Sequence, residues 1–233
     1  MKKSLTILWI VILAAGLSLV GGCAVVESED VKTSGMWAHF VIDHYPDDTV
    51  EAWGVLRVGG QTGTIIDLVG DDYLECNGTR MTEYVEPITD FHWNHAVISP
   101  DAEGIYEFTF NRIDETVTSY VYTPALPLII STNPDITLTA DDYLEVTWDD
   151  TEPAHHVNFF LYGSCIKDIW ELDVEDDGNY TFQKAIKDLD PLNPSACTVT
   201  LELRRWMDGD VASEFKDGYT EAKRMDGLTF DFE

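Results

Sequence analysis

The chain has 233 residues, with 14 Lys+Arg against 43 Asp+Glu for a formal net charge of −29; 45% of residues are hydrophobic and 12% aromatic. A field of that sign repels nucleic-acid phosphates and anionic headgroups and favours cations or basic partners, so nucleic-acid binding is excluded. The apolar and aromatic content argues for a folded chain with ample material for a core.

Met1, Lys2 and Lys3 precede an apolar run over residues 5–20, which Gly21 and Gly22 close before Cys23. This is the three-part build of an export signal over residues 1–22. The run is shorter than the roughly 20 apolar residues of a spanning helix, and the charges behind it are acidic. Val20-Gly21-Gly22-Cys23 resembles the lipobox of bacterial lipoproteins, with an aliphatic residue three places before the cysteine and a small one directly before it. The resemblance implies cleavage before Cys23, a diacylglyceryl group on its thiol and acylation of the new amino terminus, which together anchor the chain permanently to a membrane. Ala24 stands where an Asp would imply inner-membrane retention, so the same resemblance implies the outer membrane. Gly21 departs from the pattern, which more often has Ala or Ser. Removal of residues 1–22 takes two lysines and no acid, leaving a mature net charge of −31. Residues 24–35, AVVESEDVKTSG, have no usable periodicity, and with Cys23 they read as an acidic tether over 23–35. Glu27, Glu29 and Asp30 would hold it off an anionic surface.

From Met36 onward the pattern predicts short strands bounded by turns, and no long helix. MWAHFVI, VEAWGVLRV, GTIIDLV, YEFTFNR, VTSYVYT, LPLIIS, DITLTA, YLEVTW, HVNFFLYG, NYTFQKAI and CTVTLELRRW are rich in β-branched and aromatic residues. In the last of these, Val199, Leu201 and Leu203 fall on one face and Thr200, Glu202 and Arg204 on the other, which predicts a half-buried antiparallel strand. RVGGQTG, DAEGIY, EDDGNY and MDGD supply turns. Weak repetition overlays this pattern. DDYLECN from Asp71 is echoed 70 residues on by DDYLEVT, and EGIYEFTF from Glu103 is echoed 74 residues on by DGNYTFQK. The expected fold is all-β: two antiparallel β-sandwich modules in tandem, over 36–123 and 124–233, with Pro124 and Pro127 stiffening the crossing. This layout resembles the tandem immunoglobulin-like or fibronectin type III-like modules of bacterial envelope lipoproteins. The antibody-type Cys…Trp…Cys arrangement is missing.

Cys165 closes one expected strand and Cys197 opens another, and in an oxidising compartment these two are expected to pair. Cys76 has no basic residue or histidine near it in sequence and reads as a small buried hydrophobe, with pairing to the second module left open. His92 and His95 are three apart, so a strand points them to opposite faces, and His155-His156 has the same problem; no HExxH or CxxC spacing is present. In DVEDDGNY, Glu175 and Lys184 occupy positions where a calcium-binding EF-hand needs Asp or Asn and then a bidentate Glu, so that motif fails. No cofactor or metal is expected, apart from the alternative of a looser calcium site of turn carboxylates at the module junction. No nucleophile elbow, phosphate loop or dinucleotide fingerprint occurs, so no catalytic residue is expected. Trp37, Trp53, Trp93, Trp148, Trp170 and Trp206 are expected in the sandwich cores, with an exposed carbohydrate platform as the alternative.

The sequence reading is thus a lipid-anchored cell-envelope protein, attached through Cys23, that acts as a non-catalytic binding or assembly module for an envelope protein or glycan. The alternatives are an envelope hydrolase using surface carboxylates and a calcium-stiffened spacer.

Overall fold

The computed structural model describes residues 25–86, 91–133, 137–138, 143–149, 156–182 and 196–232. The export signal, Cys23 and His155 lie outside the described residues. No α-helix occurs among those described; two single 3-10 turns, Ser28–Asp30 and Thr33–Gly35, are the only helical pieces among them.

Alternation builds the first core. Met36, Ala38, Phe40 and Ile42 of the strand Met36–His44 point inward, as do Val50, Ala52 and Leu56 of Val50–Val58. They meet a four-stranded sheet ordered Thr116–Tyr122, Ile105–Asn111, Tyr73–Cys76, Thr79–Arg80. Phe40 stacks on Phe108 across the interface at 4.8 Å between ring centres. The second core lies between the strands His156–Gly163, Ile169–Glu175 and Cys197–Gly209 and a three-stranded sheet of Ile129–Asn133, Glu145–Trp148 and Asn179–Thr181. Trp148 packs edge-on to Phe159 there. Each core is closed between two sheets, as in a β-sandwich.

The internal repeat has a structural counterpart. Leu74 pairs with Phe110 in the small sheet of the first sandwich, and Val146 pairs with Tyr180 in that of the second. Leu74 and Leu144, which the repeat aligns, are both fully buried.

The C-terminal hairpin, Cys197–Gly209 with Asp217–Phe232, joins the two halves. Val199, Leu201, Leu203, Phe230 and Phe232 near its base belong to the second core, whereas Phe215 and Ala222 near its tip belong to the first. Along its first half Asp217–Phe232 also runs parallel to Met36–His44, from Asp217 opposite Trp37 to Arg224 opposite His44. One sheet is therefore continuous from the first sandwich into the second. The close approach needs Gly218: a Cβ there would stand 2.0 Å from the Ala38 carbonyl oxygen.

Residues 25–35 depart from the tether that their lack of periodicity suggested. Val26–Glu27 pairs in parallel with Ile66 and Asp67, and Ser28 is fully buried with its Oγ accepting the Val69 N–H. Arg112 explains the docking, since its guanidinium donates to the carbonyls of Ser28 and Val31, each at 2.8 Å, and pairs with Asp72 at 3.1 Å. Thr33 donates to Glu115. A segment without a regular apolar face is held through its backbone carbonyls and the Ser28 and Thr33 side chains.

Cys165 and Cys197 form a disulfide with their Cα atoms 5.8 Å apart. Cys76 is buried in the first core, and burial pushes its thiol up to about 12, with Glu107 adding to the effect.

Candidate functional site

Because Ala38, Phe40 and Ile42 fill the inward positions, Trp37, His39, Val41 and Asp43 fall on the outer face of the continuous sheet. The neighbouring strands repeat the choice: Glu51, Trp53, Val55 and Arg57 face out, and the register sets Trp53 opposite His95, Tyr84 opposite Trp93, and Tyr219 opposite His39. Ring-to-ring contacts then run unbroken across five strands. Tyr84 meets Trp53 at 5.6 Å, Trp53 meets Trp93 at 6.4 Å, Trp93 meets His39 at 5.9 Å, His39 meets Tyr219 at 4.1 Å and Tyr219 meets Trp37 at 5.6 Å. Most of these contacts are edge-to-face, the arrangement that ring quadrupoles favour. Val41 and Val55 lie among these rings on the outward phase and are buried. Arg57 sits over Trp37 and Phe91.

Carboxylates are set among the rings. Glu221 accepts from His39 at 3.1 Å and from Lys223 at 3.2 Å, while Lys223 also lies 4.0 Å from Asp43. Tyr45 donates to Glu51. Burial raises the Asp43 pKa despite the attraction of Lys223 and Arg204. Burial works the same way on Glu221, but the His39 hydrogen bond and Lys223 outweigh it and hold that carboxyl below its ordinary value. Burial and then Glu221 raise Asp208 and Tyr219, and burial with Asp43 and Glu51 raises Tyr45 above its ordinary value. At neutral pH the face presents phenol O–H donors and carboxylate acceptors between ring surfaces.

A separate set of rings lies on the second sandwich, where Trp206 stands opposite Lys223. Trp206 stacks with His156, Arg204 lies 4.3 Å from the centre of the Phe160 ring, and Phe160 meets Trp170. Trp170, on the edge strand Ile169–Glu175, is 63% exposed.

A cleft of about 270 Å³ opens beside the aromatic row. It forms because Val50–Val58 pairs with Phe91–Ile98 only through Gly54 and with Thr64–Asp67 only from Arg57, so the sheet forks between them. Trp93 lines both row and cleft; Tyr73, Asp67, Arg80 and Glu83 line the rest with Val55. His92, on the opposite face from His95, bonds Glu83 at 2.5 Å at the rim.

The expectation that all six tryptophans enter the cores is corrected. Trp148 does, and Trp37 is buried as expected although it takes the outward phase of its strand; Trp53, Trp93 and Trp206 take the outward phase half-buried, and Trp170 stands exposed. Sequence reasoning missed Tyr84, Tyr219, Glu221 and Lys223; the alternation of VEAWGVLRV set Trp53 on the face opposite Ala52 without saying which of the two faces out. In DVEDDGNY, Asp176 turns inward to Arg205 and Asp173 faces His156 at 3.0 Å. Among the described residues no three His, Cys, Asp or Glu side chains converge as a metal site would require.

No protein-family model matches the chain, and no curated protein matches it. Several solved structures are similar to it at low identity. One is the Bacteroides ovatus mixed-linkage glucan utilization locus SGBP-B in complex with a mixed-linkage heptasaccharide, at 12% identity over 79% of this chain and 53% of that one, with a TM-score of 0.24. This chain thus spans about half the length of that protein. The fibronectin(III)-like modules of Clostridium thermocellum CbhA match at 13% identity over 82% of this chain and 88% of theirs, TM-score 0.24. A run of domains from titin matches at 10% identity over 85% of this chain and 66% of that one, TM-score 0.21.

Proposed function

We propose that the protein is anchored by lipid at Cys23 to the outer membrane and binds a neutral glycan on the outer face of its continuous sheet without turning it over. The observation that carries this reading is the unbroken row Tyr84, Trp53, Trp93, His39, Tyr219, backed at its end by the buried Trp37, with Glu51, Asp43 and Glu221 set along it. A sugar ring offers apolar C–H faces to aromatic rings and hydroxyls to carboxylates and phenols, and this face supplies both. A chain of such negative charge discourages anionic polymers. The test is retention of the mature chain on immobilised neutral polysaccharides at low and molar salt. Neutral-glycan binding predicts retention that salt leaves unchanged, whereas salt-sensitive capture of a basic envelope protein would replace the ligand class.

One observation favours a second reading. Asp43 and Glu221 flank Lys223 and have pKa values displaced in opposite directions, as an acid and a base do in hydrolases. They lie on a sheet face outside the cleft lining, which favours binding. Release of new reducing ends that disappears in Asp43→Asn would decide for hydrolysis.

A further inference from the structure

We infer that residues 26–35 are a clamp that holds the first sandwich directly against the membrane, instead of a leash that lets it roam. The inference rests on the lipid attachment of Cys23 proposed above. Its structural half stands independently of that attachment.

Four groups fix the segment. Val26 and Glu27 are laddered to Ile66 and Asp67. Ser28 and Thr33 are buried, the first accepting from Val69 and the second donating to Glu115. Arg112, reaching from the opposite sheet, donates to the Ser28 and Val31 carbonyls while Asp72, itself buried, balances its charge. A planar guanidinium with five fixed donors suits the bridging of two carbonyls and a carboxylate. Val31 packs against the first core.

The consequence is one of reach. Three residue steps separate Cys23 from Val26, and at 3.3–3.6 Å per residue they span at most about 11 Å. A free tether of a dozen residues would average about 20 Å and extend to twice that. A docked segment therefore puts the strand Thr64–Asp67 at the membrane surface, and with it the fork cleft that Ile66 and Asp67 line. The lipid surface becomes one boundary of the binding region, so a ligand is met at the bilayer and not out in the periplasm or medium.

The experiment places a donor fluorophore on an Asp71→Cys variant of the full lipidated chain, in phosphatidylethanolamine–phosphatidylglycerol vesicles carrying headgroup acceptors. Asp71 is exposed beside Gly70, which abuts Glu29, and the buried Cys76 does not take the label. Strong energy transfer is expected, falling sharply when a 12-residue Gly-Ser segment is inserted between Ala24 and Val25, since that adds about 20 Å of average reach. Equal transfer in the two chains would overturn the clamp. Retention of Cys23→Ser on the vesicles would overturn the anchor instead. Hydrogen exchange on the soluble Cys23→Ser chain supplies a readout free of any membrane: amides of residues 31 and 35 are expected to be protected, and Arg112→Gln is expected to remove that protection with the rest of the sandwich unchanged. Rapid exchange there in the unmutated arm would overturn the clamp whatever the vesicles show.

Discussion

Replacing Arg205 by Met should be among the most destabilising single changes in the second sandwich. The Arg205 and Asp176 side chains are both fully buried, joined through Nε and by Nη2 to Oδ1 at 3.0 Å. Asp176 also accepts from Trp148 Nε1 at 2.6 Å, and Arg205 donates to the carbonyls of Ala125 at 3.2 Å and Asp149 at 2.8 Å. One cation thus ties the inter-module segment, two turns and the C-terminal hairpin. Methionine keeps most of the volume but leaves the Asp176 carboxylate buried with one donor, a cost of about 3–5 kcal/mol for half a buried pair. Asp176→Asn in the same chain removes the orphaned charge and keeps an acceptor for Trp148, so the double variant should recover at least about half of that loss. Urea unfolding followed by tryptophan fluorescence measures both values. A single variant costing less than about 1 kcal/mol, or a double variant whose cost is the sum of the two singles, would show that the buried pair does not act as a unit.

Four further outcomes are expected. Asp43→Asn should raise the thermal midpoint at neutral pH, because a carboxylate whose folded pKa is raised by burial destabilises the fold above that pKa; the gain should vanish as the pH falls to the unfolded value of 3.8, and a gain that persists there would contradict the argument. Cys165→Ala with Cys197→Ala should cost roughly 3–4 kcal/mol for a loop of that length, read as a lower denaturant midpoint of the second sandwich. Cys76, its thiol pushed up to about 12 by burial, should resist alkylation at pH 8 until denaturant is added. Cys23→Ser should move the chain from the detergent to the aqueous phase in a cloud-point partition, and unchanged partitioning would remove the anchor from the account.

Strands with regular alternation were legible in the sequence: VEAWGVLRV is the strand Val50–Val58, and CTVTLELRRW opens Cys197–Gly209 with Val199, Leu201 and Leu203 inward as expected. The last strand, Asp217–Phe232, was not, because Lys223, Arg224, Asp226 and Gly227 interrupt its apolar alternation; it is held by strands on both sides in place of a strong pattern. The docked arm was illegible for a related reason, since Arg112, about 80 positions away, recognises backbone carbonyls that carry no residue signature. At the candidate site the residues were visible but not their phase. Periodicity shows that Trp53 and Ala52 face opposite ways and leaves open which way is in; the choice belongs to the opposing sheet, where Phe108 and Phe110 demand the smaller side.

Recognition by the aromatic face stands or falls with its rings. Retention on a panel of neutral polysaccharides is measured for the mature chain, for Trp53→Ala with Trp93→Ala, and for Ile113→Ala as a control on a turn outside the row, with reducing ends assayed alongside. Expected are retention of the mature chain and the control, a loss of at least about tenfold in affinity without the two tryptophans, equivalent to about 1.4 kcal/mol, and no reducing ends released. Failure to hold any neutral polysaccharide, or retention that survives loss of both rings in a chain still folded by circular dichroism, would contradict recognition by this face.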